Sequence, residues 1–474
     1  MTSDLENTIK SHHQQQVMKF YGELSQESRG RLDAQLDALP WSKLDALIEE
    51  YVVNHPVTHI PDDLAPAPYF PIKPADEKMA AYYEQARTEA EKLLRAGKVS
   101  LLTVAGGQGT RLGYDGPKGT YPITPVKNKT LFQYFAEKIY RFGQKYGVKF
   151  TWYIMTSELN NRQTIDFFKS NAFFGLDEDR VVFFVQGTMP AFDRQGKLLL
   201  ADKDSLALSP DGHGGTLLAL KRCGCLDRMK REGVEYISYF QVDNPLVSIV
   251  NPLFLGLHAL GKSQMSAIML AKTGPFEKLG NFCTSGGKLH IIEYSDLPDE
   301  LAESRNPDGS LRFIAGSPAI HVISRGFVEQ LTADGYLNLP WHRADKKVPY
   351  IDDRGEPVTP AEPNAVKLES FIFDALPLAS RTMILEADRE EEFAPTKNKT
   401  GVDSVESCMA MQIERDARRL ERAGVKVRRN ADGVAEPAIE LSPKLIADDA
   451  DAAAYCREHR IDTLANRTEP VYIG

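Results

Sequence analysis

Between Val99 and Val242 the chain alternates short apolar runs with amphipathic stretches, and this alternation constrains the fold more than any other feature. Val99–Ala105 (VSLLTVA) reads as a buried strand that ends in glycines, and Phe150–Thr156, Val181–Gln186 and Glu235–Val242 repeat the pattern. The intervening segments read as helices. One starts at Thr130, with Gln133 completing a capping box; ELNNRQTIDFFKS is a second, and residues 214–230 are a third. Strands alternating with helices predict an α/β fold on a doubly wound, mainly parallel, Rossmann-like sheet. Such sheets bind ligands at the carboxyl ends of their strands. Further strands are expected at Ser266–Ala271, Leu289–Glu293 and Phe313–Ile323, with a hairpin turn at Ser285-Gly286-Gly287.

The flanks are different in kind. Residues 1–53 read as helices, with Ser42 and Asp45 approximating a capping box. Six prolines between Pro56 and Pro74 leave few backbone donors, so this stretch reads as an extended strap, in which His55 and His59 are surface histidines. A charged helix is expected from Ala75 to about Ala96, and the weakly patterned end reads as a small C-terminal appendage. The expected division is residues 1–96, an N-terminal helical region with its strap; 97–405, the catalytic domain; and 406–474, a small C-terminal domain.

Charge and composition exclude several classes of function. The chain has 474 residues, 57 basic against 66 acidic, for a net charge of −9, which disfavours a broad nucleic-acid surface. No apolar run approaches the ~20 residues a bilayer span needs, and the N-terminus lacks a signal-peptide pattern. Five scattered cysteines fit a reducing cytoplasm better than a disulfide scaffold. Cys223-Gly224-Cys225 lacks a second pair to complete a metal site and reads as buried thiols.

The first strand leads into AGGQGTRLGYDGPKGTYPI, Ala105–Ile123. Its glycines allow a tight turn with exposed N–H groups suited to phosphate oxygens. Residues 101–130 hold Arg111, Lys118, Lys127 and Lys129 against Asp115 alone, a local +3 fit for a polyphosphate. The dinucleotide fingerprint fails because Leu112 stands where its third glycine belongs, which argues against an oxidoreductase. A Walker A loop fails because Lys118 lies between Pro117 and Gly119.

AGGQGTRLG followed by PKG resembles the signature of the type 1 UTP:sugar-1-phosphate uridylyltransferases. PDGHGG (Pro210–Gly215), QVDNPL (Gln241–Leu246), EYSDL (Glu293–Leu297), FIAGSPAIHV (Phe313–Val322), HRADKKVPYID (His342–Asp352), KLESFIFDAL (Lys367–Leu376) and EFAPTKNKTG (Glu392–Gly401) continue it in order. The KKVPYID and KLESFIFD blocks are most similar to the UDP-N-acetylhexosamine pyrophosphorylase branch.

The resemblance implies a nucleotidyltransferase fold and a reaction in which a sugar-1-phosphate oxygen attacks the α-phosphorus of UTP and pyrophosphate leaves. Arg111, Lys118, Asp243 and Lys397 are then the catalytic residues, with Asp243 holding Mg²⁺. Ala105, Gly106, Gly107, Gly109, Thr110, Gln186, Gly212 and His213 bind the nucleotide, and a Gln amide matches an imide edge. Gly280, Glu293 and Ser317 line the sugar pocket. His213 stands where the N-acetylhexosamine branch usually carries Asn and glucose enzymes carry His; Ile314 and Ser317 also replace Asn. The acceptor is therefore N-acetylglucosamine-1-phosphate or glucose-1-phosphate. A non-catalytic nucleotide-sugar binder would have no need of Asp243.

Overall fold

The computed structural model describes residues 2–54 and 60–474, so the expectation for His55 and His59 lies outside the described residues. The chain forms two compact units. One comprises residues up to 60 together with 186–219 and 336–374, and the other comprises 61–185, 220–335 and 375–474.

The larger unit is built on an eleven-stranded sheet. Val181–Val185, Trp152–Thr156, Val99–Val104 and Tyr236–Gln241 lie side by side and parallel, as the alternating pattern requires. Beyond Tyr236–Gln241 the sheet changes character, because His321–Ser324 pairs with it antiparallel. Met265–Ala271, Ala315–Ser317, Gly280–Ser285 and Lys288–Ile292 then follow, joined by antiparallel pairings. Only Thr382–Ala387, alongside Met265–Ala271, adds another parallel pair. The sheet is thus mixed rather than mainly parallel. In this half one hairpin, Gly280–Ser285 with Lys288–Ile292, and antiparallel pairings between strands distant in sequence take the place of the helical crossovers that parallel pairing needs. Gly286 and Gly287, both with positive φ (55° and 71°), make the expected hairpin turn. The single strand expected over Phe313–Ile323 is broken at Pro318-Ala319, where Ala319 takes φ 57°.

Helices cover the sheet. Thr130 caps Leu131–Tyr146 by accepting the Gln133 N–H at 3.2 Å, but the Gln133 amide turns to Glu137, so the capping box is half made. The helix expected over 214–230 is two short ones, Thr216–Arg222 and Cys225–Arg231, divided at Gly224 with φ 74°. Helix Glu77–Arg95 packs against Pro252–Leu260 so closely that a Cβ at Gly256 would lie 1.8 Å from the Ala86 carbonyl oxygen. The last 70 residues have their own apolar cluster, including Leu420, Ile439, Leu441 and Ile473, under the parallel pair Ile439–Leu441 and Val471–Ile473.

His258, on Pro252–Leu260, is fully buried between the Ser266 and Ser324 hydroxyls at 2.8 and 3.0 Å. Burial pushes its imidazole down to about 3. The unfolded chain, titrating near 6.5, therefore binds more protons below that pH. This stabilisation is complete above pH ~6.5 and is lost on acidification toward 3. Between pH 7 and 5 it amounts to about 2 kcal/mol at ~1.36 kcal/mol per pH unit. His258→Gln should lower stability at pH 7 yet flatten its decline toward pH 5, read from urea midpoints. An unaltered decline would assign the acid sensitivity elsewhere.

In the smaller unit, Ser3–Ser11, Gln26–Asp37 and Trp41–Leu47 are helices, the last running into a π turn over Ile48–Val53. Ser42 does not cap, because the helix starts at Trp41 behind Pro40. Leu5, Ile9, Leu32, Leu36 and Leu44 pack on Phe192, Leu198, Val366 and Leu368. The last two lie on Ala365–Ser370, which pairs with Trp341–Lys346 and Phe192–Asp193. The buried Gln14 amide ties the N-terminal helices to Gly196 and Leu198.

Candidate active site

The glycine loop leaves the sheet at Ala105, whose N–H bonds the Met155 carbonyl at 2.8 Å. It folds back on itself through Gly109 N–H to Gly116 (2.9 Å) and Lys118 N–H to Gly107 (3.1 Å). Gly113 takes φ 72°, a left-handed turn open to glycine. Gly119 is required for space, since a Cβ there would lie 2.2 Å from the Phe132 ring. The N–H groups of Gly106, Gly107, Thr110 and Arg111 have no partner among the described residues. A tight loop with several unused N–H groups is an anion-binding concavity.

Two residues that sequence reasoning missed hold this loop. Asn160 is fully buried and donates to Ala105 O and Gly107 O at 3.0 and 3.3 Å, while Ser157 donates to Gly106 O at 2.8 Å. Both lie just past the Trp152–Thr156 strand, where a βα turn delivers side chains to its neighbour's loop. Only the tertiary pairing of the two strands reveals them.

Lys118 Nζ meets Asp243 Oδ2 at 3.0 Å, with both side chains about 85% shielded (15% and 13% exposed). Asp243 follows Tyr236–Gln241, and Thr396 N–H donates to its backbone oxygen at 2.9 Å, which brings Lys397 beside it. Burial opposes ionisation of Asp243, but Lys118 and Lys397 outweigh it and hold the carboxyl below its usual range. Asn244 clamps the segment that leads into Thr396, donating to Glu392 O at 2.7 Å and accepting Ala394 N–H at 2.9 Å. Arg111 is exposed and makes no ion pair among the described residues. Lys399, also missed, lies by the loop, its Nζ 3.8 Å from where a Gly113 Cβ would be.

The local +3 charge does not survive intact. Lys129 is buried in an ion pair with Glu137 at 2.6 Å and donates to the Tyr472 hydroxyl at 2.9 Å. Lys127 Nζ lies over the Tyr472 ring, and its N–H bonds Glu440. These lysines fasten the C-terminal segment to the loop before Thr130. Counting charge along the sequence could not separate them from Arg111 and Lys118.

Gly280, Glu293 and Ser317 are brought together. Gly280 pairs with Ser317 across the sheet, and a Cβ on Gly280 would lie 3.4 Å from Glu293 Oε1. Beside them Lys272 is buried without a carboxylate partner in hydrogen-bond range among the described residues, donating to Asn281 Oδ1 at 2.6 Å and to Pro275 O at 3.3 Å. Asn281 passes the contact on to Ile292 O, next to Glu293, at 3.3 Å. Ile314 is half-buried and outside the Ala315–Ser317 strand.

In the smaller unit Gln186 donates its amide to Gly212 O at 2.7 Å. A carbonyl partner fixes the amide orientation and takes one of its two N–H groups, so Gln186 can still offer a ligand its oxygen and its second N–H. Gly212 has φ 84°, and a Cβ there would lie 2.2 Å from Ser370 O. His213 Nδ1 accepts Ile372 N–H at 3.1 Å, which leaves its proton on Nε2. Burial, with a smaller contribution from His342, brings this imidazole down to about 4. The ring stacks on Phe371, which stacks on His342 with centroids 4.2 Å apart, and His342 bonds Asp374 at 2.8 Å.

Among the described residues no three His, Cys, Asp or Glu side chains converge as a metal cage. No helix there is long and apolar enough to cross a membrane.

The family described as UTP–glucose-1-phosphate uridylyltransferase matches residues 69–447. The chain is 36% identical over 411 residues to the human UDP-N-acetylhexosamine pyrophosphorylase-like protein 1, covering 84% of this chain and 81% of that one. It is 37% identical over 359 residues to the UDP-N-acetylglucosamine pyrophosphorylase of Saccharomyces cerevisiae, covering 74% of each. The fold superposes on the Trypanosoma brucei UDP-N-acetylglucosamine pyrophosphorylase with a TM-score of 0.83 at 23% identity, over 100% of this chain and 99% of that one. With a glycine loop of unused N–H groups, a lysine–carboxylate pair at its base and a match spanning most of its length, the chain belongs to the UTP–glucose-1-phosphate uridylyltransferase family and is a nucleotidyltransferase.

Proposed function

We propose that this enzyme forms UDP-N-acetylglucosamine and pyrophosphate from UTP and N-acetylglucosamine-1-phosphate in the cytoplasm, with residues 97–405 as its catalytic segment. The observation that carries this reading is the charge cluster Lys118–Asp243–Lys397 beside unused loop N–H groups. The four parallel strands serve as the Rossmann-like nucleotide half, in the sense that their loops end at these groups.

The nucleophile and leaving group are both good, so positioning and charge neutralisation suffice. Gly106, Gly107 and Thr110 cradle phosphate oxygens with unused N–H groups, and Gly109, its N–H spent on Gly116, shapes the loop beside them; Arg111 and Lys118 neutralise the departing pyrophosphate; Lys397 screens the α-phosphate. Asp243 fits a Mg²⁺ that arrives with the triphosphate. One shielded carboxylate, with no protein cage around it, is the donor set expected where phosphates and waters supply the remaining ligands. Held there, such an ion would supply charge neutralisation of the phosphate oxygens. Gln186 accepts the uracil imide N–H through its oxygen, with Gly212 as a backbone partner. His213 donates from Nε2 to the nucleotide. Glu293 accepts sugar hydroxyls, with Gly280 and Ser317 as the pocket wall.

Pyrophosphate release from UTP with a panel of sugar-1-phosphates tests the reading. No release with any acceptor, from folded protein, would overturn it. Gln186→Leu should reduce preference for UTP over other nucleoside triphosphates by roughly 1–3 kcal/mol, the cost of leaving the buried imide without its partner. Unchanged base preference, with only sugar use altered, would remove Gln186 from the uracil.

His213 and Ser317 favour a second acceptor, because both lie at glucose-like or amide-lacking positions. We expect N-acetylglucosamine-1-phosphate and glucose-1-phosphate to differ in kcat/KM by no more than about two orders of magnitude, the range that weak discrimination gives. Ser317→Asn should widen the margin for the acetamido sugar. A wild-type preference above about 10⁴ would reveal a polar discriminating contact elsewhere.

A further inference from the structure

Cys223-Gly224-Cys225 takes no part in uridylyl transfer, yet the fold presents it as a unit. Of the five cysteines only Cys223 is exposed; Cys225, Cys283, Cys408 and Cys456 are buried. That corrects the reading of both residues as buried thiols. Gly224, at φ 74°, turns the chain between Thr216–Arg222 and Cys225–Arg231 and folds the two side chains toward each other. Their sulfurs are 2.8 Å apart. No other described Cys, His or carboxylate joins them as a metal site.

We infer that Cys223 and Cys225 form a reversible dithiol–disulfide site that reacts with low-molecular-weight disulfides. The exposed sulfur is the attacking group and the buried one resolves. The hydrogen bond from Cys225 is the main cause that brings the Cys223 thiol down to about 7, so much of it is thiolate at neutral pH, while the Cys225 thiol is pushed up. A thiol titrating near ambient pH is also the best attacker in exchange.

The Cys223 thiolate attacks one sulfur of a disulfide such as oxidised glutathione. That S–S bond breaks, a mixed disulfide forms, and one glutathione leaves as thiolate and is protonated from solvent, which had taken the proton Cys223 lost on ionising. Cys225, giving its proton to the second leaving thiolate, attacks Cys223 Sγ. Net, two protein thiols are oxidised and one glutathione disulfide is reduced to two thiols. In a reducing compartment such a bond is transient, as for redox-sensing pairs. A dithiol reductant reverses it.

Trypsin should release Cys223–Arg228 as one peptide, since Arg222 precedes it and Arg228 ends it. After native full-length protein meets oxidised glutathione and then an alkylating agent, this peptide should be unalkylated and two hydrogens lighter than the dithiol. Dithiothreitol before alkylation should restore double alkylation. Cys225→Ser should stop one step earlier, heavier by one glutathione on Cys223. Cys223→Ser should leave Cys225 unmodified, and Cys223 should react with a thiol probe at least about ten-fold faster than any other cysteine. Double alkylation after oxidant, a persistent mixed disulfide in the wild type, or equal modification of Cys225 in Cys223→Ser would each overturn the proposal. The wild-type peptide decides even if a serine variant fails to fold.

Discussion

Asp243→Asn should leave the fold intact and lower turnover at saturating substrates by about 10²-fold or more. The structure explains why the two effects separate. The bond from Thr396 N–H goes to the backbone of residue 243, and Asn244 makes the clamp to Glu392 and Ala394, so neither depends on the carboxylate. An amide oxygen can still accept from Lys118. What disappears is a negative charge at the end of the Tyr236–Gln241 strand, where the proposed triphosphate-borne cation would have its anchor. Turnover and its Mg²⁺ dependence are the measurements. A folded variant with near-normal turnover would remove Asp243 from the metal and the reaction.

Much of this arrangement is legible in the sequence where short-range rules govern. The four parallel strands follow from short apolar runs alternating with amphipathic segments, the glycine loop from the glycines that end the first run, and the hairpin at Gly286-Gly287 from turn chemistry. The antiparallel half of the sheet does not, because a buried apolar run gives no direction and direction depends on which strand it meets. Phe313–Ile323 shows the same limit, as apolar content continues across Pro318-Ala319 while the backbone does not. Charge misled for a related reason. Lys129 and Lys118 look alike along the chain, yet one is consumed by Glu137 and Tyr472 and the other faces Asp243. Asn160 and Lys272 were invisible because their importance lies wholly in which backbone oxygens and amides they reach.

The second large effect belongs to the partner in that pair. Lys118→Ala should cost catalysis one charge-assisted phosphate contact, worth roughly 1.5–3 kcal/mol, or about 10- to 150-fold in rate. It should also cost stability, which sequence alone does not suggest. Breaking a buried ion pair by removing one partner costs about 3–5 kcal/mol; here, with some solvent access and Lys397 nearby, on the order of 2 kcal/mol is expected. The two losses have different causes, so they respond differently to a second change. Adding Asp243→Asn to Lys118→Ala removes the stranded charge and should recover most of the lost stability. It should not recover activity, because on the proposed roles both the cation and the metal anchor are then gone. Urea midpoints and turnover for the four proteins of the cycle separate the roles. If the stability changes add, the pair is not coupled in the folded protein. If Lys118→Ala alone turns over normally, the lysine serves the fold and another cation, Arg111 or Lys399, neutralises the pyrophosphate.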